Sequence, residues 1–262
     1  MTPNPGPHRI RPVPPLSSFV DSFWIYEGYI QAHARERVLP TGTMQLVFTL
    51  DADGRLAASV AGPRSHFVEL DTSRPFSAIG VHFRPGGGFP FFAVPSGELH
   101  NRTVSLESLW GRSGDGIQDR LWSASPAERR FAILESALIE RMGSRSDRHS
   151  AVRYAIDRIV ACAGTHAVGE IVQTTGLSPR RFAELFRDQV GLPPKVFSRI
   201  RRLDAALRRI ERAGEVDWTD VALSCGFFDQ AHFNHDFRAF CGLNPSAYLR
   251  HRTARTHVAV PD

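Results

Sequence analysis

The chain has 262 residues, 42% hydrophobic and 23% charged, with a net charge of +5 and a pI near 9.6. That length suits two domains with a core each. No run approaches the ~18 apolar residues of a membrane-spanning helix, and the opening MTPNPGPHRIRPVPPL lacks the apolar centre of a signal peptide. Cys162, Cys225 and Cys241 are an odd set beside apolar runs, which predicts reduced, buried thiols in a cytoplasmic protein.

Phe19 to Gly28 is aromatic but alternates poorly, which predicts a short helix or turn entering a strand. Arg35 to Leu39 reads as a strand stopped by Pro40, and Met44 to Leu50 as a strand with a continuous apolar stretch. Asp51-Ala52-Asp53-Gly54 is a hairpin-type turn. Further strands are expected at Leu56 to Ala61, His66 to Leu70 and Phe76 to Arg84. The last puts Ile79, Val81 and Phe83 on one face. Five or six short strands close most naturally as a small β-barrel or sandwich. Helices follow at Leu106 to Trp110, Gly116 to Ser123 and Pro126 to Met142, the last with Ser125 as its cap. GSRSDRHS, residues 143–150, has linker composition.

The second half carries an internal repeat. Gly176 to Phe197 aligns with Gly226 to Tyr248: Phe182 with Phe233, Phe186 with Phe237, Arg187 with Arg238, Gly191 with Gly242, Pro194 with Pro245, Phe197 with Tyr248, each 51 residues apart. Upstream of the turn the offset is 50, pairing Gly176 with Gly226, so the second turn is one residue longer. Each copy has helix-turn-helix spacing: a glycine turn, phenylalanines four apart, then a glycine stop and a proline, with Asp229 placed to cap the helix of the second copy. Between the copies, Pro194 to Ala213 has apolar residues at helical spacing. Such a helix spans roughly 30 Å, near the ~34 Å between successive major-groove openings on one face of DNA. The charge follows the repeat. Residues 151–255 hold 16 basic and 11 acidic side chains, whereas residues 1–150 hold 16 and 15.

Arg202-Leu203, Ala206, Gly226-Phe227, Phe233, Phe237, Gly242, Pro245 and Tyr248 resemble the signature of the AraC/XylS transcription regulators. The likeness runs from about Ala151 to Arg252, and Asp229-Gln230-Ala231-His232-Phe233 resembles one branch of that family. Ala231 stands where many members have a serine, and His235 where many have an arginine. Phe23-Trp24, Leu39-Pro40-x-Gly42 and Phe83-Arg84-Pro85-Gly86 are similar to one uncharacterised group of N-terminal domains attached to such regulators. The resemblance implies double-stranded DNA as partner, a small-molecule effector or homodimer contact in the N-terminal half, and RNA polymerase if the protein activates.

The expected fold is α+β: an N-terminal barrel or sandwich with helices at 1–142, a linker at 143–150, and an all-α domain at 151–255 with two helix-turn-helix units on a long linker helix. In the first unit Arg180, Arg181 and Glu184 face outward, with Arg180 set to reach a base. In the second, Gln230, His232, Asn234 and His235 are the reading residues. Arg187, Arg238 and the free N–H groups at both helix starts are expected to hold phosphates.

Enzyme chemistry finds little support. Arg84-Pro85-Gly86-Gly87-Gly88 lacks the Lys-Ser or Lys-Thr of a P-loop. No His-x-His joins His33, His66, His82 and His100 into a metal set, and no Gly-x-Ser-x-Gly elbow is present. No cofactor is expected. The competing readings are a cupin-like barrel enzyme with a helical accessory domain, and a helical protein-interaction module without DNA affinity.

Overall fold

A computed structural model of the chain describes residues 7–114, 116–142 and 148–260. The first half opens with β1 (His8–Ile10) and a 3₁₀ turn at Leu16–Ser18, then β2 (Val20–Tyr29), β3 (Arg35–Val38), β4 (Gln45–Asp51), β5 (Leu56–Ala61), β6 (Val68–Asp71) and β7 (Phe76–Phe83). The aromatic run at Phe19 to Gly28 is therefore mostly one ten-residue strand rather than a helix. Its alternation is weak because residues on both of its faces are buried: Phe23, Trp24 and Ile25 in succession. After 3₁₀ turns at Phe89–Phe91 and Ser96–Leu99 come β8 (Thr103–Ser105), α1 (Leu106–Trp110), α2 (Ile117–Ser123) and α3 (Ala127–Arg141). Ser125 does not cap α3. Pro126 holds the N-cap position, with no side-chain bond to the first turn.

Six strands form one sheet in the order β1-β2-β7-β4-β5-β8, all neighbours antiparallel. Its order does not return on itself, so the first half is not a closed barrel. The face carrying Ile25, Leu46, Phe48, Ile79, Val81 and Phe83 packs on Phe91, Phe92, Trp110, Leu121, Phe131 and Leu134 from the turns and helices that follow.

Residues 150–251 are helical: α4 (Ser150–Ala161), α5 (Val168–Thr174), α6 (Pro179–Val190), α7 (Pro194–Arg212), α8 (Trp218–Ser224), α9 (Gln230–Cys241) and α10 (Pro245–His251). Their apolar faces form one core through Ile156, Phe182, Phe186, Leu203, Ile210, Phe233, Phe237 and Tyr248. Cys225 and Cys241 are buried and all three cysteines are free thiols. Of the expected linker, residues 143–147 lie outside the described residues; Arg148 is held by the carbonyls of Pro85 and Ser18 at 2.9 and 3.2 Å.

Beyond α10 the chain adds β9 (Arg252–Ala254) and β10 (His257–Ala259). These cross back to the first half and form the second sheet, β6-β3-β10-β9. β10 pairs His257 with Val38 and Ala259 with Glu36, so the chain's end closes an edge of β3. The two sheets meet around Glu36, which is buried and accepts hydrogen bonds from Tyr29 Oη at 2.8 Å and Thr253 Oγ1 at 2.7 Å.

Candidate nucleic-acid interface

Each repeat is built by the same local chemistry. Ser178 Oγ accepts the Arg181 N–H at 3.3 Å, and Asp229 Oδ1 accepts the His232 N–H at 2.7 Å, so α6 and α9 start on side-chain caps. Both stop at a left-handed glycine: Gly191 donates to the Arg187 carbonyl and Gly242 to that of Arg238, each at 2.9 Å. The aromatic contacts repeat as well. Phe182 meets Phe186, which meets Phe197, at ring distances of 5.6 and 5.7 Å. Phe233 meets Phe237, which meets Tyr248, at 5.4 and 5.5 Å. The 51-residue alignment is thus a structural equivalence.

Helix α7 lies between the two units and is pinned to the second by three arginines. Arg199 makes a two-pronged pair with Asp236 of α9, at 3.0 and 2.7 Å. Arg202 donates to the Gly226 carbonyl at 3.1 Å in the turn, and Arg209 bonds Asp220 of α8. On the other side Ser198 Oγ donates to the Gly164 carbonyl at 2.9 Å. Neither unit can turn about α7 without breaking these bonds.

Helices α6 and α9 present their N-terminal ends to solvent and bury their C-terminal ends against the first half. Ser96 Oγ donates to the Gln189 carbonyl at 3.2 Å at the end of α6. At the end of α9, the Phe67 N–H donates to the Phe240 carbonyl at 3.1 Å, and Arg37 reaches the Gly242 carbonyl at 3.3 Å. The free N–H groups and positive dipole ends are therefore the uncovered ones.

The structure sorts the residues singled out in the sequence. Arg180 is 90% exposed on the first turn of α6, held to Glu184 at 3.1 Å, with Arg181 at 3.7 Å from the same carboxylate. Arg180 holds Glu184 below its ordinary value. Gln230 is exposed at the start of α9, its Oε1 accepting from Thr219 at 3.3 Å. His235 is 80% exposed, and Asn234 is half-buried. His232 is engaged locally: its Nδ1 accepts the Phe228 N–H at 3.4 Å, and its ring meets Phe227 edge-on at 5.5 Å. Arg187 and Arg238 sit in the last turns of their helices, far from the caps. Arg187 lies against Gly97 of the first half, where an added Cβ would come within 2.9 Å of its Cγ. Arg180, Arg181 and Glu184 thus share one exposed end, as do Gln230 and His232, while the two arginines at the far ends join neither group.

The sequence reading passed over Phe228, which is 85% exposed beside the α9 cap. The one-residue difference in turn length was the signal available for it. The scattered histidines do not converge: among the described residues no group of three or more His, Cys, Asp or Glu side chains is placed to hold a metal ion. No helix among the described residues is long and apolar enough to cross a membrane.

Residues 171–251 match a family described as a helix-turn-helix domain, and residues 8–105 match a domain of unknown function, DUF6597. The HTH-type transcriptional regulator Rv1931c of Mycobacterium tuberculosis is 32% identical over 87 residues, 33% of each chain. The arabinose operon regulatory protein of Salmonella typhimurium is 28% identical over 192 residues, 71% of this chain and 63% of that one. The XylDLEGF operon transcriptional activator 1 of Pseudomonas putida is 29% identical over 129 residues, 46% of this chain and 39% of that one. The chain spans about a third of the length of Rv1931c and of the probable transcriptional regulator LumQ of Photobacterium leiognathi. Among solved structures, ToxT from Vibrio cholerae superposes with a TM-score of 0.44 at 10% identity, covering 87% of this chain and 97% of that one.

Proposed function

We propose that this chain, whose C-terminal half is a helix-turn-helix domain of the AraC/XylS type, is a sequence-specific transcription regulator that places α6 and α9 in adjacent major grooves of double-stranded DNA. The observation that carries the reading is the matched pair of capped helices, fixed on one linker helix with both N-terminal ends exposed. Arg180 of α6 and Gln230 of α9 are the side chains best placed for base edges: arginine for guanine, glutamine for adenine. Arg181, Asn234 and His235 flank them, and the free N–H groups of both first turns take phosphates. Glu184 orients Arg180. His232 braces the second turn, and Arg187 and Arg238 act at the helix ends away from the groove.

We divide the chain into a regulatory part at 1–142, a connection at 143–150 and a DNA-binding part at 151–255. A small-molecule effector, or a second copy of the chain, would act through the first part. Contact with RNA polymerase applies if the protein activates, and a cytoplasmic site of action follows from the DNA partner. The relatives that match the second half are named transcriptional regulators, which favours regulation over catalysis.

Selection of random duplex DNA by the full chain across a salt series tests the reading. The expected result is a site with two short elements about one helical turn apart, and affinity that falls steeply with salt as displaced counterions return to the phosphates. Gln230→Ala should relax preference in one element only. A chain that selects no duplex, with or without its first 150 residues, would sink the proposal and leave a protein-binding module.

A further inference from the structure

The second turn is one residue longer than the first, and the structure identifies the extra residue. Leu177 follows Gly176 and packs on the helical core; Phe227 follows Gly226 and does the same. Ser178 caps α6 and Asp229 caps α9. With Leu177 matched to Phe227 and Ser178 to Asp229, Phe228 has no counterpart in the first unit.

Phe228 is also the residue that packing leaves over. An apolar side chain just before an N-cap usually folds onto the fourth residue of the helix and fixes the entry angle of the chain. Here that fourth residue is Phe233, and the place is taken by Phe227, whose ring meets Phe233 at 5.2 Å. Phe228 stays 85% exposed, more than any other large hydrophobic side chain among the described residues.

Its backbone is held firmly. The Phe228 N–H is bonded to His232 Nδ1, the next residue is the cap itself, and Arg202 lies 5.1 Å over the Phe227 ring while holding the Gly226 carbonyl. With the backbone held, only the two torsions of the side chain are left to lose when the ring is covered, a small cost for so large a contact. It stands two residues before Gln230, at the uncovered end of α9.

We propose that Phe228 is a base-reading residue that packs on the 5-methyl group of a thymine at the edge of the major groove, giving the second helix-turn-helix a selectivity the first lacks. This rests on the DNA-binding reading above. Apolar contact is the one means of recognising that methyl, because thymine's O4 is an ordinary acceptor. A partner protein would also cover an exposed ring. The position favours DNA, because the residue directly precedes the Asp229 cap and lies two residues before Gln230, at the end of α9 that faces the groove in that reading.

The test uses the full chain and the duplex it enriches from a random pool, then the same duplex with deoxyuridine replacing each thymidine of the second element in turn. Uracil keeps O4 and loses the methyl. At one position the change should weaken wild-type binding roughly three- to tenfold, the scale of one buried methyl and its ring contact. Phe228→Ala should lose the same factor on the thymine duplex and become indifferent to the uracil change, while Phe228→Leu keeps part of the discrimination. The exposed ring holds no core contact, so the thermal midpoint should not move.

An enriched two-element site that Phe228→Ala binds as tightly as wild type overturns this inference and leaves the DNA reading standing. So does a variant weakened equally on every duplex yet still sensitive to uracil, or a second element that holds no thymine. A wild-type chain that enriches nothing overturns both.

Discussion

Asp236 is a carboxylate with almost no water to solvate it, 3% exposed on α9. Burial alone would raise its pKa from the ordinary 3.8; the hydrogen bonds and charge of Arg199 outweigh that and hold it lower. The two partners are not symmetric, because Arg199 keeps 35% of its side chain in solvent. Asp236→Asn leaves a guanidinium that water can reach and should cost about 1–2 kcal/mol. Arg199→Met strands a buried charge and should cost about 3 kcal/mol. Urea unfolding at neutral pH measures both, and equal losses would contradict the asymmetry. The pH dependence has a definite sign. The pair's stabilisation is whole above 3.8 and is lost as pH falls through the lower folded value. The gap between wild type and Arg199→Met should therefore be widest at neutral pH and narrow in acid, where the stranded carboxyl takes a proton. Nothing in the sequence pairs these residues, which lie 37 apart. A charge at a helical position reads as solvated until its neighbour in space is known.

At the scale of the element, the end of α9 shows what the sequence carried and what it did not. Gly242 was legible as a stop because a left-handed residue costs a side chain roughly 1 kcal/mol or more, and it adopts φ of +67°. Its second constraint was not legible: a Cβ there would fall 2.4 Å from the Phe67 ring, which belongs to the other half of the chain. Gly242→Ala should then lose about 2–3 kcal/mol, more than left-handed strain alone. Phe67→Ala in the same chain should remove the excess and leave the strain. A double-mutant cycle by chemical unfolding separates the two, and strictly additive losses would mean the ring simply moves aside. The same contrast runs through the fold. Helices α6, α7 and α9 fell where spacing placed them, because each buries a periodic apolar face, and strands β4 and β7 where short apolar runs between turn signals placed them. Strands β9 and β10 hold three residues each, too few for a period, and exist because β3 offers an edge. For the candidate interface, the sequence placed the two equivalent capped helices, α6 and α9. It did not show which ends the first half covers, and so did not separate Arg187 and Arg238, in the last turns, from the residues at the uncovered ends.

At the scale of the molecule, the first half grips α6 and α9 by their equivalent ends, largely through one short segment. Gly191 at the end of α6 is so close to Pro63 that a Cβ there would meet its Cγ at 2.6 Å, and four residues later Phe67 covers Gly242 at the end of α9. Arg201 of α7 reaches the Thr41 carbonyl at 3.4 Å, and Leu39 of the first half is buried in the helical core. The C-terminal tail completes the grip: Leu39 donates to the Thr256 carbonyl at 2.8 Å, Val260 to that of Arg35 at 2.9 Å, and Thr253 to the buried Glu36. Because bonds cross between the halves at several separate places, they should unfold together, in one calorimetric transition. A chain ended after Arg255 loses β10, opens the edge of β3 and brings water to Glu36, while every helix of the second half remains. It should melt in two steps, with the first half going earlier, and the β3 amides of Arg37 and Leu39, which face the tail, should exchange with solvent much faster. Two steps in the intact chain would show that the crossing bonds are too weak to couple the halves. One unshifted step in the shortened chain would show that the 63–67 segment and the Leu39 contact couple them without the tail. In the expected case the tail is the point where a change in the first half can be felt by α9, since the strand it pairs with carries Arg37, which holds the end of that helix.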